Sequence, residues 1–295
     1  NIFGVIAIVF FLLLTFAYLF KLWKYPLAVK AEFNHPVSIS FFGTFIISLL
    51  LLPGFIYPYF SKVAILVWIV GAVLMFVFAW VVLRKWFGQQ QDPANALPAW
   101  IIPVVGTLDV PIVGSQFPIP GIHEICLAFF GIGIVFTIIL VTLILSRLLF
   151  HPPLPEAVQP TLLILIGPFA LACSSYELLT GVQDMTASIF YYFGLFLLLL
   201  FGTKVLLISK CCPFRVTWWA VSFPLVAITI ASFRYASHKQ SFAFQIIPAL
   251  LLIVSTATIL FLLIQTFYRL FSKKLFLLNP VSEKATQIMF PITKP

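Results

Sequence analysis

Charge is what this sequence has least of. Only 8% of its 295 residues are Asp, Glu, Lys or Arg, against about a quarter in a soluble domain. That excludes a water-soluble globule, and the 62% of residues that are hydrophobic say the same. Cysteine is scarce too. Cys126, Cys173, Cys211 and Cys212 lack metal-ligand spacing with histidine, and the adjacent pair is a poor candidate for a structural disulfide. They read as small membrane hydrophobes. There is no Gly-rich phosphate loop, no GxSxG and no HExxH, so nothing points to an enzyme, a metal or a cofactor. His35, His123, His151 and His238 are scattered near the ends of apolar runs, where a solvated or capping role is the default. No basic patch carries interleaved aromatics, so the net charge of +9 does not point to nucleic acid. The first residues lack the basic n-region and small-residue cleavage site of a signal peptide.

What the chain does have is long apolar runs. Nine can be marked, at roughly 1–20, 37–57, 62–83, 98–115, 121–146, 160–180, 185–206, 216–236 and 242–268. About 20 apolar residues are needed to cross a bilayer as a helix. Backbone groups in lipid must be satisfied within the segment, and the alternation of a β-barrel is absent, so the runs are helices. The expected class is an all-α polytopic membrane protein with short connections, a single body over 1–275 and a tail at 276–295.

The few charges set the orientation. Fourteen of the 17 Lys and Arg follow runs one, three, five, seven and nine. Only Lys62, Arg234 and Lys239 fall on the opposite side. The positive-inside rule makes the basic side, and the C-terminus, cytoplasmic. The chain then starts outside, already apolar, and the expectation is nine visible spans of an intact ten, with one earlier helix missing.

Proline follows a pattern. Runs two, four, six and eight carry it internally, as Pro53, Pro103 with Pro111, Pro168, and Pro224. Runs one, three, five and seven have none, and run nine has Pro248 near its start. From Pro53 to Pro111 to Pro168 to Pro224 the steps are 58, 57 and 56 residues. This reads as a repeating hairpin of one kinked and one straight helix. Kinks expose backbone groups that lipid cannot satisfy, so the kinked helices are expected inside and the straight ones against lipid.

Few polar side chains lie at membrane depth. Asp109 sits in "IIPVVGTLDVPIVG" and Glu177 in "CSSYELLTG", both expected near enough to the outer surface to reach water. Arg234 is the cation available to pair with a carboxylate there, or else a snorkelling anchor. These three are the candidate pore-mouth charges. Trp218 and Trp219 are expected to mark the cytoplasmic interface as part of an aromatic belt. Phe223, roughly 7 Å deeper at about 1.5 Å per residue, reads from composition alone as ordinary packing.

Four stretches change that reading: "VKAEFNHPVSISFF" (29–42), "PAWIIPVVG" (98–106), "FHPPLPEAVQPTLLILIGPFAL" (150–171) and "WWAVSFPLVAITIASFRY" (218–235). In this order they resemble bacterial members of the slow-type anion channel family, within the tellurite-resistance/dicarboxylate transporter superfamily. The resemblance covers nearly all of 1–275. It implies ten helices in five hairpins with quasi-five-fold symmetry, inner helices bent at prolines around a central pore, and a homotrimer with one pore per subunit. It implies that Phe223 plugs the pore beside the Pro224 bend, and that Pro53, Pro103, Pro111 and Pro168 bend pore-lining helices. The tail "MFPITKP" faintly resembles the stretch preceding the first helix of relatives. The function implied is a passive channel for small inorganic anions such as chloride or nitrate in the bacterial inner membrane. The rival is a secondary transporter or exporter of dicarboxylate, sulfite or tellurite-related anions. A carrier should grip its anion with a buried Arg or Lys, and the inner runs offer only Arg234 at an end.

Overall fold

A computed structural model describes residues 2–35, 37–211, 214–239 and 242–272. The tail at 276–295, with its "MFPITKP" stretch, and Cys212 lie outside the described residues. Among the described residues the regular structure is all helical. The α-helices are α1 (Ile2–Lys24), α2 (Pro26–Asn34), α3 (Ser38–Leu51), α4 (Pro53–Ile56), α5 (Ser61–Phe87), α6 (Ile102–Val105), α7 (Val110–Gly114), α8 (Ile122–Phe150), α9 (Gly167–Thr180), α10 (Met185–Cys211), α11 (Ser222–Ser237) and α12 (Phe242–Phe271). Eight stretches are long and apolar enough to cross a membrane, and the shorter Pro98–Gly114 makes a ninth apolar segment. All nine expected runs are therefore helical segments.

Four of the proline-bearing runs are built differently from the rest. Runs four, six and eight carry 3-10 turns, run two breaks at Leu52 between α3 and α4, and Pro248 of run nine lies inside the continuous α12. Pro98–Ile101 and Gly106–Asp109 are 3-10 on either side of α6; Glu156–Ile166 precedes α9; Val216–Val221 precedes α11. At about 2.0 Å per 3-10 residue and 1.5 Å per α residue, Pro98–Gly114 extends for ~30 Å, the thickness of a bilayer core. As pure α-helix it would fall short. The eleven-residue 3-10 run Glu156–Ile166 is long for its type. It survives because residues 160–166 are all buried in protein, where lipid does not reach the strained backbone.

Burial is greatest in run six and least in α1 and α12, while run two and the straight α5 are alike at 39% each. Val158–Thr180 has 72% of its best apolar window buried, whereas α12 has 17% and α1 has 6%. The straight helices present Leu, Val, Phe and Ile outward, among them Leu66, Val73, Ile138, Leu199 and Ile253. Those side chains suit contact with lipid tails.

Glycine sets the closest helix approach. A Cβ at Gly133 of α8 would lie 2.6 Å from the Leu108 side chain and 2.7 Å from Thr107 Oγ1. At Gly131, two residues away on the same helix, a Cβ would meet nothing within 4 Å. Gly133→Ala should therefore destabilise the fold by about 1–3 kcal/mol through overpacking. Gly131→Ala should leave stability equal or raise it by roughly 0.5–1 kcal/mol. Thermal unfolding of the two variants in one detergent checks the opposite signs.

His35 caps the start of α3, as its place at a span end led us to expect. Its Nδ1 accepts hydrogen bonds from the Val37 and Ser38 backbone N–H groups, each at 3.3 Å. Burial pushes the His35 imidazole below its ordinary range, and accepting at Nδ1 requires the neutral ring. The cap is complete above the unfolded value of ~6.5 and is lost as pH falls through the lower folded value. Wild type should lose more thermal stability than His35→Asn between neutral pH and pH ~5.

Candidate functional site

Five prolines of the broken segments sit in the first turn of an α-helix, whereas Pro160 lies inside the 3-10 run Glu156–Ile166. Pro53 opens α4. Pro103, Pro111 and Pro168 take one of the first two positions of α6, α7 and α9. Pro224 is the third residue of α11. In the first turn the missing N–H is one the helix cannot use anyway, and the fixed φ suits the start of a new segment. The prolines therefore restart helices after a 3-10 turn or a break, instead of bending continuous ones. All five are buried.

Phe223 stands at one of these restarts. It lies between the 3-10 turn Val216–Val221 and the body of α11, with Val221, Pro224 and Leu225 buried around it. Its own side is 37% exposed. Among the described residues no other ring pairs with it, whereas Phe169 on α9 is held against Phe193 at 4.5 Å.

The helix carrying Phe223 is fixed along its length. Tyr235 stacks on Tyr191 of α10 at 4.3 Å and donates to Tyr192 Oη at 3.3 Å. Thr229 and Ser255 of α12 share a hydrogen bond at 3.3 Å. Trp219 donates its indole N–H to Thr266 Oγ1 at 3.0 Å. Trp218 is buried and stacks on Phe214. Trp219 thus joins this segment to α12, and Trp218 packs on the stretch of chain just before it.

The charged candidates separate. Glu177 on α9 and Arg234 on α11 meet, with Nη1 3.5 Å from Oε1. His238 Nε2 lies 3.2 Å from the same oxygen. Sequence reasoning offered Arg234 as a partner for a carboxylate at this end, or as a snorkelling anchor, and missed His238. The signal was present: positions 234 and 238 are one helical turn apart on a single face. Glu177 Oε2 is buried with no hydrogen-bond partner among the described residues. Asp109 departs from the expectation of contact with outer water. It is wholly buried, and neither carboxylate oxygen has a partner among the described residues. The cause is the 3-10 turn Gly106–Asp109, which lies against α3, α5, α8 and α9. Beside it, Ser175 of α9 donates to the Leu108 carbonyl at 2.8 Å, and Trp68 of α5 to the Val110 carbonyl at 3.1 Å. These side chains tie α9 and α5 to the backbone of the broken segment.

The family model for SLAC1, a voltage-dependent anion channel, matches residues 1–267. The chain belongs to this family. The S-type anion channel SLAH3 of Arabidopsis thaliana is 28% identical over 267 residues, covering 88% of this chain and 41% of SLAH3. The tellurite resistance protein TehA homolog of Haemophilus influenzae is 26% identical over 287 residues, covering 94% of this chain and 83% of that protein. An uncharacterized transporter of Methanocaldococcus jannaschii is 30% identical over 269 residues, covering 81% and 76%. The chain spans about half the length of the plant channels SLAH3 and SLAH2, at 41% and 49%. The SLAC1 match runs through every segment described above except the end of α12.

Glu177 and Arg234 are partly screened from water, at 12% and 30% side-chain exposure. A double-mutant cycle with Glu177→Gln and Arg234→Gln should return a favourable coupling of about 1 kcal/mol. Thermal unfolding of the four proteins reads it directly.

Proposed function

We propose that this chain forms a passive pore for small inorganic anions, with Phe223 as its gate. Membership of the SLAC1 family supports anion transport, and the plant relatives carry the name of anion channels. The observation that carries the gate is the contrast at Phe223: an unpaired, part-exposed ring on a helix clamped at Thr229, Tyr235 and Trp219. A side chain free to change rotamer on a fixed backbone opens a path without moving a helix. The segments bearing Pro53, Pro103, Pro111, Pro168 and Pro224 would line the path, in five hairpins around it, with Glu177 and Arg234 at its outer mouth. A homotrimer with one pore per subunit in the bacterial inner membrane, basic face inward, completes the reading.

The wall chemistry favours conduction over capture. Conduction needs binding weak enough for fast exit. Arg234 is already engaged by Glu177, which leaves it poorly placed to grip a passing anion. A carrier of dicarboxylate, sulfite or tellurite-related anions is the second reading, favoured by relatives named as a transporter and as a tellurite resistance protein. The two part in flux experiments: a carrier saturates with substrate and shows no single-channel steps.

Removing the ring tests the gate. Phe223→Ala should conduct chloride or nitrate severalfold more than the parent in planar bilayers, at equal protein density. Conductance no higher than the parent would sink the assignment of Phe223.

A further inference from the structure

The last turns of α5 carry a shallow surface cleft of about 340 Å³ that the transport reading does not use. Trp80, Val81, Arg84, Lys85, Gly88 and Gln89 line it. The lining holds two cations and an amide but no carboxylate. The Arg84 guanidinium lies over the Trp80 ring, 5.3 Å from its centroid, which holds the planar group in one orientation. Among the described residues Arg84 has no acidic partner. Lys85 Nζ donates to the Asn34 carbonyl at 3.3 Å and keeps its charge. Glu32, an acid on the same basic face, is engaged by Lys21 and Tyr18, and the Lys21 ammonium holds its carboxyl below the usual range. The C-terminal end of a helix repels anions, so the two side-chain cations must supply the attraction themselves.

An apolar stripe leads to this cleft. Val73, Val77 and Trp80 follow each other at helical spacing along α5, and all three are exposed. The stripe ends at Arg84, one turn beyond Trp80. We propose that this is a binding site for an anionic glycerophospholipid. The phosphate headgroup sits between Arg84 and Lys85, the indole of Trp80 fills the interfacial layer, and an acyl chain lies along Val77 and Val73. A free phosphate fits the two cations equally well but has no use for the stripe. The amphiphile uses both, and this decides between the two sources.

Native mass spectrometry of the whole protein tests the site. Protein purified in detergent is given phosphatidylglycerol or phosphatidylcholine, and in a separate arm inorganic phosphate alone. Wild type should retain phosphatidylglycerol in preference to phosphatidylcholine and show no phosphate adduct. Arg84→Gln with Lys85→Gln should weaken retention by roughly fivefold per cation removed. Lys24→Gln, on the same basic face but outside the cleft, should leave it unchanged. Equal retention by the double variant overturns the site, as does an equal loss in Lys24→Gln. A phosphate adduct on wild type that displaces the lipid makes it a free-anion site and overturns the lipid. If the double variant does not fold, Trp80→Leu keeps both charges and must alone lower retention; undiminished retention then overturns the proposal.

Discussion

Proline's missing amide hydrogen is the constraint on which the body depends. A segment that cannot form a continuous ladder of hydrogen bonds cannot face lipid, because each open backbone group there costs several kcal/mol. The broken segments must therefore be covered by protein. Covering them leaves the unbroken helices outside, since only those satisfy their own backbone. α12 keeps Pro248 inside a continuous and mostly exposed helix, but the near-complete burial of 98–114 and 160–168 follows from where proline stands. So does the position of Ser175 and Trp68, which donate to carbonyls of the broken segment at Leu108 and Val110.

The same constraint explains why 3-10 geometry accompanies the prolines. A proline in the first turn of a helix removes only an N–H that the helix cannot use, so a new α segment can start there. The turns Gly106–Asp109, Glu156–Ile166 and Val216–Val221 lead into such starts. They also lengthen the segment per residue, which lets 98–114 span a distance its length would not allow as α-helix. Phe223 inherits its place from this arrangement. It sits one residue before Pro224, where the chain changes from one helical form to the other and its neighbours turn inward.

Much of this was legible in the sequence. The nine apolar runs correspond to helical segments, because apolar length is a one-dimensional signal. The proline repeat marked the segments that are broken. That Arg234 could meet a carboxylate was legible from its place at a span end, though not which one. The form of the breaks was not: nothing in "EAVQPTLLILI" marks eleven residues of 3-10 helix, since that choice is made by neighbours packing around it. Nor did the sequence mark what Trp218 and Trp219 would touch. Their indoles turn inward to Phe214 and Thr266, the latter 47 residues away. Asp109 was misplaced because its distance from a span end said nothing about the walls of α5, α8 and α9 around it.

Asp109 and Glu177 now stand for two ways of keeping a carboxylate in such a body. Glu177 is held near the C-terminal ends of α9 and α11, where Arg234 and His238 share one of its oxygens. That contact ties α9 to α11. Asp109 has neither a cation nor a donor among the described residues, so it contributes no such tie. Buried polar groups without partners are a few in a native fold, and each costs roughly 1–3 kcal/mol or more. An apolar residue of similar shape would fill the space between α5, α8 and α9 at less cost. In a segment otherwise free of charge this sets Asp109 apart from the packing residues around it, and makes 106–111 the stretch where polarity and broken backbone coincide.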